Sequence, residues 1–192
     1  MSDELEPPRS SEAPVRFFEN VDWRSFCVAA LITLVVYAYT MPPEVLVGDG
    51  GFFVVSSAYL GVPNNTGFPV WNVYSWLFTW LPFSNFAWRV ALSVVVANAL
   101  TCGVIALIVS RIGALLLESF PFARAFAPKQ LDRLRVVCGV VAGLGMGFDG
   151  YFWEWVDGTY FPMRFNQMLL ALTICFVTRW FFAPQGHCRA VT

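Results

Sequence analysis

The run AWRVALSVVVANALTCGVIALIVS, Ala87 to Ser110, holds a single charged residue, Arg89, in 24 positions. About 20 apolar residues in helical form cross the roughly 30 Å hydrocarbon core of a bilayer. A stretch this long has no place in a soluble core, so the chain belongs in lipid. The rest of the 192 residues agrees. Charged residues make up 13% and hydrophobic ones 57%, with a mean hydropathy of +0.60, whereas a soluble domain carries about 25% charged residues. Aromatic side chains reach 17%, and many flank the apolar runs, as interfacial belts require. A net charge of −1 leaves no basic face for nucleic acid.

Three further segments read as spans: 25–41 (SFCVAALITLVVYAYTM), stopped by Pro42 and Pro43; 134–150, rich in glycine; and 165–183. Small residues in the third span let a neighbouring helix approach closely. The stretch FPVWNVYSWLFTWLP, between the first two long spans, is apolar but too short to cross, and reads as an interfacial or re-entrant helix. The expectation is an all-α integral membrane bundle of about four transmembrane helices. An external loop, 42–86, carries interfacial helices, a partly disordered segment, 1–24, precedes the bundle, and a tail, 184–192, follows it. No cleavable signal peptide is expected, because the first residues are acidic.

Positive charge sets the orientation. Arg9, Arg16 and Arg24 precede the first span, no Lys or Arg falls between Met41 and Trp88, and five fall between Arg111 and Arg135. With four spans these segments share one side, which is cytoplasmic, giving N-in and C-in topology. The expected location is a bacterial inner membrane. Glu44, Asp49, Asp149, Glu154 and Asp157 then face outside.

The five cysteines show no CxxC spacing and read as small buried hydrophobes. The single histidine, His187, lies beside Cys188 in the polar tail, so no metal site and no cofactor are expected.

One carboxylate stands out. Asp49 sits between Gly48 and Gly50, ahead of GFFVVSSAYLG, in which apolar residues recur at helical spacing. It can cap that helix. An acid at a helix N-terminus is also held ionised, the state required of a proton acceptor. Arg89, near the outer end of the second long span, is either a snorkelling anchor or the partner of an anion such as Asp49 or a phosphate.

The segment GDGGFFVVSSAYLGVPNNTGFPVWNVYSWLFTWLPFSNFAWRVALSVVVANAL resembles the opening of a family of multi-span proteins related to protein O-mannosyltransferases, in the GT-C glycosyltransferase superfamily. A weaker similarity follows in FWEWVDGTYFPMRFNQMLLAL. The resemblance implies a sugar donor carried on polyprenyl phosphate and no cofactor. It also implies an external acid, Asp49 here, acting as base on an acceptor hydroxyl. Arg89, Asn64, Asn65, Tyr59, Trp71, Glu154 and Asp157 are the candidate substrate contacts. Where the family's turn reads Asp-Ser-Gly-Glu, this chain has Asp49-Gly50-Gly51-Phe52, so the second carboxylate is missing. A family usually richer in spans further implies either a missing C-terminal part or a partner subunit. A non-catalytic membrane subunit of the same descent is the alternative, and a small transporter ranks below both because no internal repeat is visible.

Overall fold

The structure, a computed structural model, describes residues 17–41, 50–62, 67–121, 126–150 and 161–182. Among these residues every regular element is helical: α1 (Asn20–Thr40), α2 (Gly50–Tyr59), α3 (Pro69–Thr79), α4 (Phe86–Ser119), α5 (Pro128–Gly147) and α6 (Phe161–Phe182). The chain is an all-α membrane bundle.

Local chemistry sets the ends. At the start of α1, Asp22 reaches back so that its Oδ2 accepts the Glu19 N–H at 3.0 Å, occupying a donor the helix leaves free. Met41 is extended, as a residue before proline prefers. Asn85 caps α4 by accepting the Trp88 N–H at 2.8 Å. Proline opens both α3 and α5, where its missing N–H costs nothing.

α4 is the hub. At 34 residues it is about 51 Å long, nine residues longer at its C-terminal end than the apolar run that announced it. On one side it receives α1 and α5. Tyr37 and Met41 pack on Ala91 and Val95. Gly139, Gly143 and Gly147 bring α5 so near that an added Cβ at Gly143 would lie 2.5 Å from the Cys102 carbonyl oxygen. On the other side lie α6, through Ala171 against Val104 and Ile108, and the short helices α2 and α3. The latter share a core cluster of Phe53, Val54, Trp71, Val90, Val94, Ala97, Phe165 and Met168.

These contacts orient the helices. The start of α1 meets the last third of α4 and the start of α5, where Ser110 Oγ donates to Asp22 Oδ1 at 2.6 Å and Arg135 Nη2 to the same oxygen at 3.0 Å. At the opposite end the Tyr37 hydroxyl donates to the Gly147 carbonyl. Thus α1 and α5 run one way, and α4 and α6 the other.

Among the described residues three helices are long and apolar enough to cross a membrane: α1, α4 and α6. α5, which occupies the expected span 134–150, differs. Its first turns carry Lys129, Asp132, Arg133 and Arg135, leaving an apolar length of roughly 18 Å from Val136 to Gly147. The segment at 68–82 forms α3, which at 11 residues spans only about 16 Å and is too short to cross.

Candidate functional site

At the end of the bundle where α4 and α6 begin, α2 and α3 sit against the first three turns of α4. Backbone turns hold this corner in shape. The Gly61 N–H returns to the Ser56 carbonyl at 2.9 Å, with Leu60 in the left-handed region at φ 52°. Gly67 and Phe68, just before α3, are also left-handed, at φ 73° and 34°. Left-handed non-glycine residues store strain and persist only where the surroundings enforce them. Here Asn72 does so: its Nδ2 donates to the Gly61 carbonyl at 2.6 Å, while its Oδ1 accepts from Ser56 Oγ at 3.3 Å.

Between α2 and α3 runs a polar seam. Ser57 Oγ and Ser75 Oγ lie 2.6 Å apart, so one donates to the other, while the accepting hydroxyl gives its own proton to a carbonyl of its helix, Phe53 for Ser57 or Trp71 for Ser75. On the outer face of α2 lies an open groove of about 520 Å³, lined by Gly51, Phe52, Val55, Ser56, Tyr59, Gly61 and Val62. Its lining is apolar apart from Ser56 and the Tyr59 hydroxyl. The groove begins two residues after Asp49 in the chain.

The candidate residues divide as follows. Tyr59 lines the groove and is strongly exposed. Trp71 does not line it. This is a correction: the indole is 2% exposed and packs at 6.1 Å and 6.0 Å from the Phe165 and Tyr74 rings, because α3 turns this face toward α4 and α6. Arg89 is also placed differently from expectation. Its Nε, Nη1 and Nη2 donate to the carbonyls of Phe83, Thr79 and Ser84 at 2.7, 2.9 and 2.8 Å, with the guanidinium 5.3 Å from the Phe86 ring centre. The end of α3 leaves carbonyls without helical partners, and Arg89 gathers them into the turn leading to α4. Asp49, Asn64, Asn65, Glu154 and Asp157 lie outside the described residues.

Two interior groups escaped the sequence reading. Arg164, in the first turn of α6, is 2% exposed. Its Nη1 donates to Gln167 Oε1 at 3.0 Å. Asn98 is fully buried, one helical turn before Cys102, and neither its amide nitrogen nor its oxygen meets a hydrogen-bond partner among the described residues. A buried ionisable side chain in a membrane bundle marks a functional region by default. The available signal was an arginine and a glutamine three apart inside an apolar run, together with a lone asparagine in VVVANAL.

The opposite end holds a second charged assembly. Glu19 accepts from Arg111 Nη1 at 2.8 Å and from Arg135 Nη1 at 3.0 Å, and Arg135 also pairs with the fully buried Asp22. Burial opposes ionisation of Glu19, yet hydrogen bonds and charge from Arg135 and Arg111 outweigh it and hold the carboxyl below its ordinary range. This network ties α1, α4 and α5 together. No group of three or more His, Cys, Asp or Glu is placed to hold a metal ion among the described residues.

Against known proteins, the family model described as the protein O-mannosyl-transferase TMEM260 N-terminal domain matches residues 49–188. No curated protein and no solved structure matches.

Proposed function

From the premise that the chain belongs to the protein O-mannosyl-transferase TMEM260 N-terminal domain family, and is therefore a glycosyltransferase-like membrane protein, we propose that it takes part in moving a sugar from a polyprenyl-phosphate donor to an acceptor hydroxyl. The reaction takes place on the external side of the membrane. The helix ends that gather Glu19, Asp22, Arg111 and Arg135 lie on the cytoplasmic side, as do both termini, in a bacterial inner membrane.

In this reading Asp49 accepts the proton of the acceptor hydroxyl. The hydroxyl oxygen attacks the anomeric carbon, the bond from that carbon to the phosphate oxygen breaks, and polyprenyl phosphate leaves. Asp49 stands immediately before α2, whose N-terminal N–H groups favour a carboxylate in its charged form. Tyr59, Asn64 and Asn65 contact the substrates from the α2 side, and Glu154 and Asp157 from the segment before α6. Arg89 keeps two N–H donors beyond the three carbonyls it holds, enough to meet a phosphate oxygen at the rim.

The observation that carries the reading is the groove lined by Gly51 and Phe52, which follow Asp49 by two and three positions in the sequence, and continuing along α2. The test is Asp49→Asn in the complete membrane protein. Transfer of sugar from a polyprenyl-phosphate donor should be lost while insertion and helix content stay unchanged. Turnover equal to the parent's removes Asp49 from the mechanism.

A second reading has its own support. Phe52 stands where the resembling family has a glutamate, and its ring is 67% exposed in the groove. An apolar groove with an aromatic wall also suits a non-catalytic subunit that binds the lipid for a partner. Binding of donor without turnover, in both parent and Asp49→Asn, selects this reading.

A further inference from the structure

Asn72, in the first turn of α3, joins three stretches of chain through one side chain. The carboxamide is 5% exposed, and both of its polar atoms are engaged. Oδ1 accepts from Ser56 Oγ on α2 at 3.3 Å, while Nδ2 donates to the Gly61 carbonyl at 2.6 Å and, at a longer 3.5 Å, to the Gly67 carbonyl. The backbone N–H of the same residue is occupied separately, by the Phe68 carbonyl at 3.0 Å. Two N–H donors and an acceptor on a stem of one carbon are what this arrangement requires, and asparagine supplies them.

Gly61 and Gly67 are six positions apart, a separation that an extended chain would stretch to about 20 Å. Their carbonyls nevertheless lie within hydrogen-bond reach of one nitrogen, so the amide closes the segment between them into a loop. The flanking backbone is bent to match, with Leu60 on one side and Gly67 and Phe68 on the other in the left-handed region, a conformation that non-glycine residues keep only under constraint. Asn72 itself is not part of the groove lining. Of its three side-chain partners, Ser56 and Gly61 line the groove, as does Val62, the residue that follows Gly61.

We propose that Asn72 is a positioning residue for the lipid-linked donor: by tying Gly61 to Gly67 and to α2, its side chain sets where Val62, Asn64 and Asn65 stand when the donor enters the groove. It touches no substrate. Its effect is on binding, because a loop already closed has less freedom to lose when a ligand orders it. The inference rests on the proposed sugar transfer for what the groove holds, and adds to it the residue that shapes the end of the groove remote from Asp49 in the sequence.

The test is equilibrium binding of polyprenyl phosphate to the full chain in detergent, followed by native mass spectrometry. Asn72→Ala should bind about tenfold more weakly than the parent, the affinity equivalent of one hydrogen bond. Truncation also leaves a void, so Asn72→Asp at neutral pH is the second variant, with the same volume and no N–H to give; it should weaken binding at least as much. Ser75→Ala is the control for damage to the helix pair alone: it removes a buried hydroxyl from the same helix that bonds Ser57 and touches neither glycine. Its affinity should equal the parent's, whatever it loses in an SDS titration. Where transfer is assayed, Asn72→Ala should raise the donor KM and leave kcat unchanged, the mark of lost binding. Parent-like affinity in Asn72→Ala, an equal loss in Ser75→Ala, a fall in kcat at unchanged KM, or a parent that does not bind the probe overturns the proposal. The binding measurement involves no turnover, so its failure leaves the Asp49 test standing, and turnover by Asp49→Asn leaves this one standing.

Discussion

Replacing Gly143 by alanine places a methyl group 2.5 Å from the Cys102 carbonyl oxygen, 3.1 Å from the Ala29 Cβ and 3.2 Å from the Ala106 Cβ. The first neighbour is backbone and cannot rotate away, so α5 must back off from α4. Forcing one extra carbon into a packed interior costs about 1–3 kcal/mol. The substitution also improves the helix by about 1 kcal/mol, the usual difference between alanine and glycine in a helix interior. Gly145, one residue short of the next turn, supplies the internal control: a Cβ there meets nothing within 4 Å. Gly145→Ala should therefore keep the gain without the clash. The stability difference between the two variants cancels the propensity effect and isolates the contact, at about 1–3 kcal/mol. Both proteins are purified in mild detergent and titrated with SDS, and the helical signal in circular dichroism is followed through the transition. Gly143→Ala should unfold at lower SDS than the parent or unchanged, and Gly145→Ala at equal or higher SDS. Identical curves for the two variants refute the close approach of α5 to α4, and with it the orientation of the helices derived from that seam.

Three further outcomes follow from the charged and polar contacts. Arg135→Met leaves the fully buried Asp22 carboxylate without its cation; breaking such a pair costs about 3–5 kcal/mol, and adding Asp22→Asn should recover most of the loss in the same SDS titration. Glu19 has its folded pKa held below its ordinary 4.5, so it stabilises the fold at pH above that value and ceases to do so as pH falls through the lowered folded value. The thermal stability gap between the parent and Glu19→Gln should accordingly be full at neutral pH and close in acid below about 4.5. Arg89→Ala deprives the Thr79, Phe83 and Ser84 carbonyls of their donor; a loss of about 1–3 kcal/mol and faster limited proteolysis within residues 80–85 are expected, with Arg89→Lys intermediate because an ammonium cannot hold the same fork.

What could be learned without coordinates came from one-dimensional signals. Residence in lipid followed from Ala87–Ser110, because crossing a bilayer is a matter of apolar length alone. The end of α1 at Pro42-Pro43 and the opening of α3 and α5 at proline are equally local, since they depend on φ and on a missing N–H. The brevity of α3 was legible from the proline at each end of VWNVYSWLFTWL. The glycine spacing in α5 announced a close neighbour but not which one.

The tertiary structure decided the rest. Trp71 looked like a substrate contact in a Trp-rich loop and is a core residue, because only the packing of α3 on α4 and α6 determines which face is covered. Arg89, open in the sequence to a role as a snorkelling anchor or as an anion's partner, holds carbonyls five, six and ten residues upstream, because the α3–α4 turn folds back over it. Asp22 meets Ser110 and Arg135 across 88 and 113 residues. Apolar length and periodicity are properties of a segment, and the amino-acid order carries them openly. Which polar side chain faces which depends on how separate helices pack, and that is fixed only when side-chain shapes from distant segments are fitted together in a medium that offers polar groups no other partner.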